Sequence, residues 1–408
     1  MFSSLHPEAA LYESTVTVKS AAFQHSELRK ALRSQGAQVH LLTDVLFNRT
    51  QEDEDAFNKL RELANSSFVY DTTHLEDEYN SLKEMTNKFT GQKRSNFYKT
   101  MLEFRHKLDT AYQEKYRQEI LQDLNANALI NIIINRPTIV LHLQHWFDGD
   151  LFFLSLRQEV KLNSLNNLYF MRDQQITTNR GIVLLRSVTR ASEKEVTRFA
   201  FKKLGFDIVG ELTRGYAEGG DFLPAGDLVF IGQGLRTTAD AVEEMLEKDY
   251  FGANEVAVVR DYQDFGAERL HLDTFFNILT DKDVLILEDV LNDNSKKRFV
   301  DLYVKNDTSA PKIGNYTKII SKMEFGQFLR RRGFKITTVT NEEQLNFAVN
   351  FLNLGNGNIV TPYGEPLYLD RLRKLGINVQ YVDISTLTAG NGAVHCMTQV
   401  ISRQRKAR

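Results

Sequence analysis

RRRGFKITTV, residues 330–339, contains the pattern that decides the fold. Three arginines precede Gly333, and an apolar, β-branched run follows it. Cations suit the C-terminal end of a helix dipole, and glycine accepts the left-handed conformation at which many helices stop. β-Branched and apolar residues after such a stop are typical of a strand. We therefore predict a helix that ends at Gly333 and a strand that follows it directly.

The same helix–glycine–strand pattern occurs at four other places. These are LRSQGAQVHLL (32–42), KKLGFDIVG (202–210), RKLGINVQYV (373–382) and a looser copy, EKDYFGANEVAVV (247–259). Five such units predict a repeated α/β module. The repeat is interrupted between Gly36 and Gly205, where residues 51–135 are charged and rich in helix formers. We predict a helical insertion there, with a solvated charged face rather than a binding role.

The composition excludes several classes of protein. Among 408 residues Cys396 is the only cysteine, so no internal disulfide can form and a cytoplasmic location is expected. The first residues, MFSSLHPEAALYES, lack the basic and apolar regions of a secretory signal. The longest apolar runs, ALINIII and PTIVLHL, are too short for a membrane span. A net charge of −2 gives no reason to expect nucleic acid or membrane partners.

A doubly wound nucleotide-binding fold would also alternate helices and strands. It should then carry a glycine-rich phosphate loop at a strand-to-helix turn. GNGNIV (355–360) and GNGAVH (390–395) lack the third glycine, and no GxxxxGK[ST] occurs. Dinucleotide binding is not expected.

Two stretches combine carboxylates with groups that could act beside them. AEGGDFLPAGDLVFIG (217–232) places Glu218 and Asp221 around a glycine pair, which allows a tight backbone beside a ligand. The two carboxylates could bind a cation, or the stretch could be a polar turn before a strand. In RLHLDTFFNIL (269–279), His271 and Asp273 would share one face of a strand. Such a pair can bind metal, act as acid and base, or be structural. A zinc site has little support, because no HExxH or CxxC motif occurs.

The stretch GAVHCMTQVISR (392–403) contains the single cysteine. It alternates like a strand, so His395 should point away from the Cys396 side chain and be a poor base for it. A lone cysteine is by default a small buried apolar residue. Further upstream, LNNLYFMRDQQ (165–175) ends an apolar run with Arg172 and Asp173.

Taken together, these stretches resemble the arginine deiminases of the guanidino-group-modifying superfamily. The matching motifs, in order and spacing, are NLYFMRD (167–173), EGGD (218–221), GLRT (234–237), HLDTFF (271–276) and GAVHCMT (392–398). The resemblance covers roughly residues 1–403, including the helical insertion, which the related agmatine deiminases lack. It implies a five-bladed α/β propeller of pentein-type ββαβ repeats. The first module would occupy residues 1–50 without its N-terminal strand, the insertion 51–135, and the remaining modules 136–408.

The resemblance also implies roles for five residues. Cys396 would be the nucleophile that forms a covalent amidino-type intermediate with the substrate, since a guanidinium carbon needs a strong nucleophile. Asp173 and Asp273 would hold the guanidinium nitrogens. His271 would protonate the departing ammonia and then activate water, and Glu218 would contact the guanidinium and hold His271 in position.

A second set of positions matches residues that recognise the rest of the substrate. Asn167, Arg190 and Arg236 correspond to α-carboxylate ligands, although Arg186 lies close to Arg190 in the loosely matching RSVTRASE segment. Phe170 would stack on the guanidinium. Asn391 stands where the family often has an arginine that gates the substrate, which predicts weaker substrate affinity.

The resemblance therefore implies a hydrolase that converts free L-arginine and water to L-citrulline and ammonia, without metal or organic cofactor, as a cytoplasmic homo-oligomer. An amidinotransferase or arginine dihydrolase would share the same nucleophile, histidine and carboxylates. A non-catalytic arginine-binding relative and a metal-dependent hydrolase that uses His271, Asp273 and Glu218 are the alternatives from other classes.

Overall fold

The computed structural model describes residues 13–403 except 189, 191, 263–265, 267, 268 and 307–311. The chain divides into two compact units, one formed by residues 1–41 and 166–408 and the other by Leu42–Leu165. The described part of the first unit begins with helix α1 (Val18–Ser34), whose N-terminus is capped by the Thr17 side chain. No helix in the described ranges is long and apolar enough to cross a membrane.

The second unit combines helices with one long hairpin. Its elements are α2 (Leu42–Phe47), α3 (Glu54–Ser67), β1 (Val69–Asp71), α4 (Leu75–Glu84), α5 (Gly91–Arg105), α6 (Thr110–Asp123), α7 (Ala126–Asn135), β2 (Pro137–Asp148) and β3 (Leu151–Leu162). Strands β2 and β3 pair antiparallel over their whole length, and β1 adds parallel to β2. The unit is longer than the predicted insertion, residues 51–135, because this sheet packs with the helices that precede it: α5 contributes the buried Phe97 to a cluster with Phe152 of β3.

The rest of the first unit alternates strands and helices. Its elements are β4 (Gln175–Thr178), β5 (Gly181–Leu184), α8 (Glu193–Lys203), β6 (Ile208–Glu211), β7 (Phe222–Ala225), β8 (Leu228–Gln233), α9 (Ala239–Glu247), β9 (Glu255–Arg260), β10 (Phe276–Ile278), β11 (Asp283–Leu287), α10 (Glu288–Asn292), β12 (Phe299–Lys305), β13 (Lys312–Ile313), β14 (Tyr316–Glu324), α11 (Phe325–Arg331), β15 (Lys335–Val339), α12 (Asn341–Leu345), β16 (Leu352–Gly355), β17 (Asn358–Thr361), α13 (Pro366–Lys374) and β18 (Asn378–Tyr381).

Four modules with one topology can be recognised among the described residues. In each, two strands pair antiparallel, a helix follows, and a third strand lies parallel to the second: β4–β5–β6, β7–β8–β9, β10–β11–β15 and β16–β17–β18. The predicted α/β class is therefore confirmed.

The predicted helix stops are present at Gly36, Gly205, Gly333 and Gly376, whereas α9 ends at Glu247 and the left-handed residue after its C-cap is Asp249 (φ +53°) and not Gly252. Gly36, Gly205, Gly252, Gly333 and Gly376 all have φ between +59° and +85°, in the left-handed region. Strands β6, β9, β15 and β18 follow the last four of these glycines, as predicted. The strand predicted after Gly36 is wrong, because residues 37–41 form no strand and pair with no strand in the described part of the chain. An extended segment without a ladder partner does not form a sheet.

The third module contains an excursion that the repeat pattern does not predict. Between β11 and α11 the chain forms β12, β13 and β14, and β12 pairs antiparallel with β9. The sheet of the second module thereby grows to six strands. Burial of Phe230, Phe276, Phe325 and Phe328 in one cluster joins the second and third modules.

In each module, a candidate site residue lies in the loop directly before the first strand. Asp173, Glu218, Asp273 and Asn350 each lie within four residues before the first strand of one module, β4, β7, β10 and β16. Cys396 follows the last strand, β18, and is buried with Phe170 and residues of α1. The repeat thus brings residues that are distant in sequence toward one place.

Candidate active site

Cys396 lies in a buried turn, residues 394–397, rather than in a strand. The strand prediction is wrong because no neighbouring strand pairs with this segment; its backbone is instead held by Asn350, whose Oδ1 accepts hydrogen bonds from the N–H groups of Ala393 (3.2 Å) and Cys396 (3.4 Å). Asn350 also donates from Nδ2 to Cys396 Sγ at 3.2 Å. The sulfur is 3.5 Å from Oδ2 of Asp273. The thiol therefore lies directly against a carboxylate.

The environment of the thiol disfavours its ionisation. Burial raises the pKa of Cys396 well above its usual value, and the negative charges of Asp273 and Asp173 raise it further. The hydrogen bond from Asn350 opposes these effects only in part. A positive charge placed beside the sulfur would lower this pKa and favour the thiolate.

The prediction that His271 and Asp273 share one face of a strand is wrong. His271 has extended backbone and precedes a short 3₁₀ turn, Leu272–Thr274, which contains Asp273. The turn directs the two side chains to different partners: Oδ2 of Asp273 accepts from Nδ1 of His395 at 2.6 Å, whereas His271 contacts Glu218. Burial and the positive charge of Arg172 lower the pKa of His395 to about 4, so its neutral ring donates this bond.

One oxygen of Asp273 has no hydrogen-bond partner among the described residues. This atom, Oδ1, is buried, as is the whole Asp273 side chain. Burial raises the pKa of Asp273, but the hydrogen bond from His395 and the positive charges of His271 and Arg172 outweigh this effect and keep the pKa below its usual value. An ionised buried carboxylate oxygen without a donor is costly, so the atom is suited to receive one from a ligand.

His271 and Glu218 form a buried ion pair. The distance from His271 Nε2 to Glu218 Oε2 is 2.7 Å. Burial lowers the pKa of His271, but the charge of Asp173 and the hydrogen bond to Glu218 outweigh it and raise the pKa to about 10. Burial conversely raises the pKa of Glu218, and the contact with His271 brings it down to about 2. The imidazole is therefore positively charged at neutral pH.

The glycine pair beside Glu218 allows close contacts with His271 and with Arg172. A Cβ atom on Gly220 would lie 2.7 Å from Nδ1 of His271, and one on Gly219 would clash with the carbonyl group of Arg172. These distances are too short for non-bonded atoms, so both positions need glycine. Gly220 lets the backbone approach the His271 ring and Gly219 lets it approach the Arg172 carbonyl, whereas the sequence suggested an approach to a ligand.

Asp173 is paired with a cation of the protein itself. Nη1 of Arg190 donates to Oδ2 of Asp173 at 2.7 Å, and the N–H of Gly220 donates to Oδ1 at 3.3 Å. The Arg190 guanidinium also lies 5.3 Å from the ring centroid of Phe170, the residue predicted to stack on a substrate guanidinium. Burial raises the pKa of Asp173 more than the charge of Arg190 lowers it.

The other predicted binding residues occupy different surroundings. Arg236 is 3.8 Å from Glu218 Oε1, measured from its Nη1 atom. Asn167 is buried, and its carbonyl accepts from the N–H of Phe170 at 2.9 Å. Asn391 ends a 3₁₀ turn, Leu387–Gly390, with φ of +61°. Its neighbour Gly392 packs on Phe170, where a Cβ would lie 2.5 Å from a ring carbon.

Four residues at this site were not assigned a role from sequence. Asn350 holds the thiol, His395 holds Asp273, Ser187 donates to Glu218, and Arg172 donates from Nε to the carbonyl of His395 at 3.1 Å. Asn350 lies in FAVNFLNLG, where no motif marks it. Only its equivalent position before the first strand of a module could have indicated it.

Asp221, which the sequence marked as a possible cation ligand, supports the loops instead. Its oxygens accept from Thr237 Oγ1 at 2.6 Å and from the N–H of Leu272 at 2.9 Å. Burial raises its pKa to about 6. Asp173, Glu218 and His271 are close enough to share an ion, but Asp273 is outside that group. The metal-site combination of His271, Asp273 and Glu218 considered from sequence is therefore not assembled.

A cavity of about 260 Å³ adjoins this cluster. Ser187 and Arg190 line it together with two further basic side chains, Arg186 and Lys194. Two of these three cations, Arg190 and Lys194, are paired with Asp173 and Glu211, and Arg186 donates to the carbonyl of Thr213. A carboxylate of a ligand would compete for such partners.

Comparison with known proteins places the chain in a family. The family model described as arginine deiminase matches residues 154–403. Curated arginine deiminases from Halobacterium salinarum (26% identical, 69% of this chain and 74% of that protein) and Listeria innocua (24%, 86% and 87%) are similar to it. For the arginine deiminase from Oenococcus oeni (27%), the match covers 58% of this chain and 61% of the relative's length.

Solved structures similar to this chain include two guanidino-modifying enzymes. A dimethylarginine dimethylaminohydrolase is 21% identical, with 57% of this chain and 77% of that chain covered and a TM-score of 0.43. The N-terminal domain of ArgZ, an arginine dihydrolase from cyanobacteria, is 18% identical, with 58% and 76% covered and a TM-score of 0.45.

The match to the family model defines an enzyme class that acts on guanidino groups, and the chain carries its motifs on α/β modules. Within that class, the chain belongs to the arginine deiminase family, which confirms the resemblance noted from its motifs.

Proposed function

We propose that this protein hydrolyses free L-arginine to L-citrulline and ammonia through a covalent intermediate on Cys396. The observation that carries the proposal is the contact between Cys396 Sγ and Asp273 Oδ2 at 3.5 Å, together with the unpartnered Oδ1 of the same carboxylate. A guanidinium that donates to Asp273 would bring its carbon and its positive charge to the sulfur. That charge offsets the burial and the carboxylates that keep the thiol protonated, so the substrate itself would promote the thiolate.

The proposed reaction has two displacement steps. The sulfur attacks the guanidinium carbon, and the carbon–nitrogen bond to the departing ammonia breaks after His271, which is protonated at neutral pH, gives its proton to that nitrogen. Water then adds to the same carbon while His271 takes a proton from it. The carbon–sulfur bond breaks, and citrulline and the thiol are released. Glu218, 2.7 Å from His271, stabilises the imidazolium before the first transfer and after the second.

Asp173 is proposed as the second carboxylate for the guanidinium, although Arg190 occupies it here. Substrate binding would therefore displace Arg190 from both Asp173 and Phe170. The basic cavity next to Arg190 supports a further role: the released guanidinium can turn to the α-carboxylate of the amino acid, together with Arg186 or Lys194. We assign Arg236 and Asn167 to the substrate pocket on the family motif, and Asn391 on its position where the family often has a gating arginine.

Several finer points form part of the same proposal. Four modules of one topology support a fifth at the N-terminus, which would complete a five-bladed propeller. The position of Leu42–Leu165 between the two segments of the first unit supports an insertion. A single unpaired cysteine fits a cytoplasmic enzyme. We also infer a homo-oligomer, by analogy with the family.

Product analysis tests the function. Purified protein is incubated with arginine and separately with agmatine, and citrulline, ornithine, ammonia and carbamoylputrescine are measured. We expect citrulline and ammonia in equal amounts, and little turnover of agmatine, which lacks the carboxylate. Ornithine with two ammonia per arginine would instead indicate a dihydrolase, and product formation only with an added amine would indicate an amidinotransferase. Unchanged turnover by the variant Cys396→Ala would refute the proposed mechanism.

A further inference from the structure

A second cluster of side chains that can ligate a metal lies in the unit Leu42–Leu165, outside the candidate active site. His74 precedes α4, and Glu78 is one turn further on in that helix. The spacing of four residues places both side chains on one face of the helix. His142 of β2 meets them there. Three atoms converge: His74 Nε2, His142 Nδ1 and Glu78 Oε1.

The distances between these atoms suit a common ion. The two nitrogens are 3.1 Å apart, and each is 3.7 Å from the carboxylate oxygen. The centre of a triangle with these sides is about 2.0 Å from each corner, which is the length of a zinc–nitrogen or zinc–oxygen bond. A simple His–His hydrogen bond would explain the 3.1 Å distance but not the approach of the carboxylate oxygen to both rings.

The surrounding groups hold the three ligands in orientations that a metal site requires. The second oxygen of Glu78, Oε2, accepts a hydrogen bond from the N–H of Leu143 at 2.7 Å, which leaves Oε1 directed at the two histidines. The other ring nitrogen of His142, Nε2, is buried without a hydrogen bond, and its nearest charged neighbour is Glu159 Oε2 at 3.5 Å. A histidine that binds metal through one nitrogen commonly donates its other N–H to a carboxylate.

We propose that His74, Glu78 and His142 form a binding site for a divalent transition-metal ion of the zinc class, with Glu159 as a positioning residue. Two imidazoles and one carboxylate favour Zn²⁺ or Co²⁺ over Mg²⁺ and Ca²⁺, which prefer sets of oxygen ligands. The ligand side chains are a quarter to a third exposed, so an ion can enter from solvent and water can fill a fourth position. The ion would tie helix α4 to strand β2.

Zinc binding by the full-length protein tests the site. After chelator treatment and dialysis, Zn²⁺ is titrated in competition with a chromogenic chelator. His74→Ala and His142→Ala should each bind one equivalent fewer than the wild type. His145→Ala is the matched control, because His145 lies on the same strand but is exposed, and it should bind as the wild type does. Glu159→Gln should keep the stoichiometry and lose about 10- to 100-fold in affinity.

Two measurements on the protein report the coordination itself. Co²⁺ in the wild type should give the intense visible absorption of a four-coordinate ion, and His74→Ala should lose this absorption. In the wild type, Zn²⁺ should protect His74 and His142, but not His145, from modification by diethylpyrocarbonate, as mapped by mass spectrometry. This last experiment needs no variant to fold. Equal zinc equivalents in the wild type and both alanine variants, or absence of protection at His74 and His142, would overturn the proposal.

Discussion

Nη1 of Arg190 donates a 2.7 Å hydrogen bond to Oδ2 of Asp173, and the same guanidinium lies over Phe170. A guanidinium of the protein thus occupies the carboxylate and the ring that the proposal assigns to the guanidinium of the substrate. Under the proposed function, substrate binding replaces one cation by another, and Arg190 acts as a competitor as well as a ligand.

This competition predicts an unusual response to Arg190→Leu. Agmatine has no carboxylate for Arg190 to bind. It should bind to Arg190→Leu at least about tenfold more tightly than to the protein with Arg190, because a charge-assisted hydrogen bond of about 1.5–3 kcal/mol no longer competes for Asp173. Arginine should gain less or lose affinity, so the preference for arginine narrows. Calorimetric titration of the Cys396→Ala background avoids turnover. Arg180→Leu, which removes an arginine paired with Asp249, is the control; unchanged agmatine affinity in Arg190→Leu would contradict the competition.

The contact between Asp273 and Cys396 predicts opposite effects on thiol reactivity and on turnover. Burial raises the pKa of the thiol, and the Asp273 charge raises it further. Asp273→Asn should therefore lower this pKa and speed alkylation by iodoacetamide at pH 8, while citrulline formation falls by orders of magnitude. Intact mass spectrometry gives a clean readout because the chain has one cysteine. Asp249→Asn should change neither rate. Slower or unchanged alkylation in Asp273→Asn would show that the carboxylate does not act on the sulfur.

The His271–Glu218 pair predicts the pH dependence of activity. The pKa of His271 is raised to about 10, so its proton is retained through neutral pH and lost only as pH rises toward that value. The contribution of His271 to the stability of the fold is therefore fully present below about pH 6.5 and is lost as pH rises to about 10, whereas that of Glu218, whose pKa is lowered to about 2, is lost as pH falls below about 4.5. Glu218→Gln removes one partner, so the pKa of His271 and the alkaline limb of kcat/KM should both move to lower pH. Proton NMR of the imidazole measures the same shift independently of turnover; an unmoved titration would exclude the pairing.

Asn350 should matter for catalysis beyond its contribution to stability. Asn350→Leu keeps the size of the side chain but removes the donor to Cys396 and the acceptor for two backbone N–H groups. We expect the free energy of unfolding to fall by about 1–3 kcal/mol and kcat to fall at least about tenfold. Asn353→Leu is the matched control, since the Asn353 side chain donates to the carbonyls of Ile278 and Leu279 and accepts from the N–H of Gly355, none of which the proposed reaction uses.

Urea unfolding and citrulline assays separate the two effects. Both asparagine variants should be less stable, but only Asn350→Leu should lose kcat once each protein is assayed well below its unfolding midpoint. An equal loss of kcat in Asn353→Leu would mean that Asn350 acts through stability alone.

The local pattern of the sequence was sufficient to predict the helix–strand units of the modules. Basic residues before Gly205, Gly333 and Gly376, and β-branched residues after them, encode a helix stop and a strand within about ten positions. Pairing between strands is not local, and it decided two features that the pattern did not indicate. One is the addition of β12–β14 to the second module's sheet, and the other is the absence of a strand after Gly36.

In the candidate site, too, some residues could be predicted from the sequence and others could not. The motifs around Asp173, Glu218, His271, Asp273 and Cys396 were found from sequence, because each lies in a short run of distinctive residues. Their partners were not. The contacts of Asn350 with the thiol and of His395 with Asp273 join residues that are 46 and 122 positions apart.

The sequence by itself thus determined the kind of module, its repetition and the family to which the chemistry belongs, since these depend on local periodicity and on motifs of a few residues. Only the tertiary structure decided which groups pair. It directed Asp273 to Cys396 and His395 instead of to His271, and it placed Arg190 on Asp173. The physical reason is that hydrogen bonds and burial, which set each pKa, depend on distances in space that equivalent loops of separate modules bring about and that sequence spacing does not record.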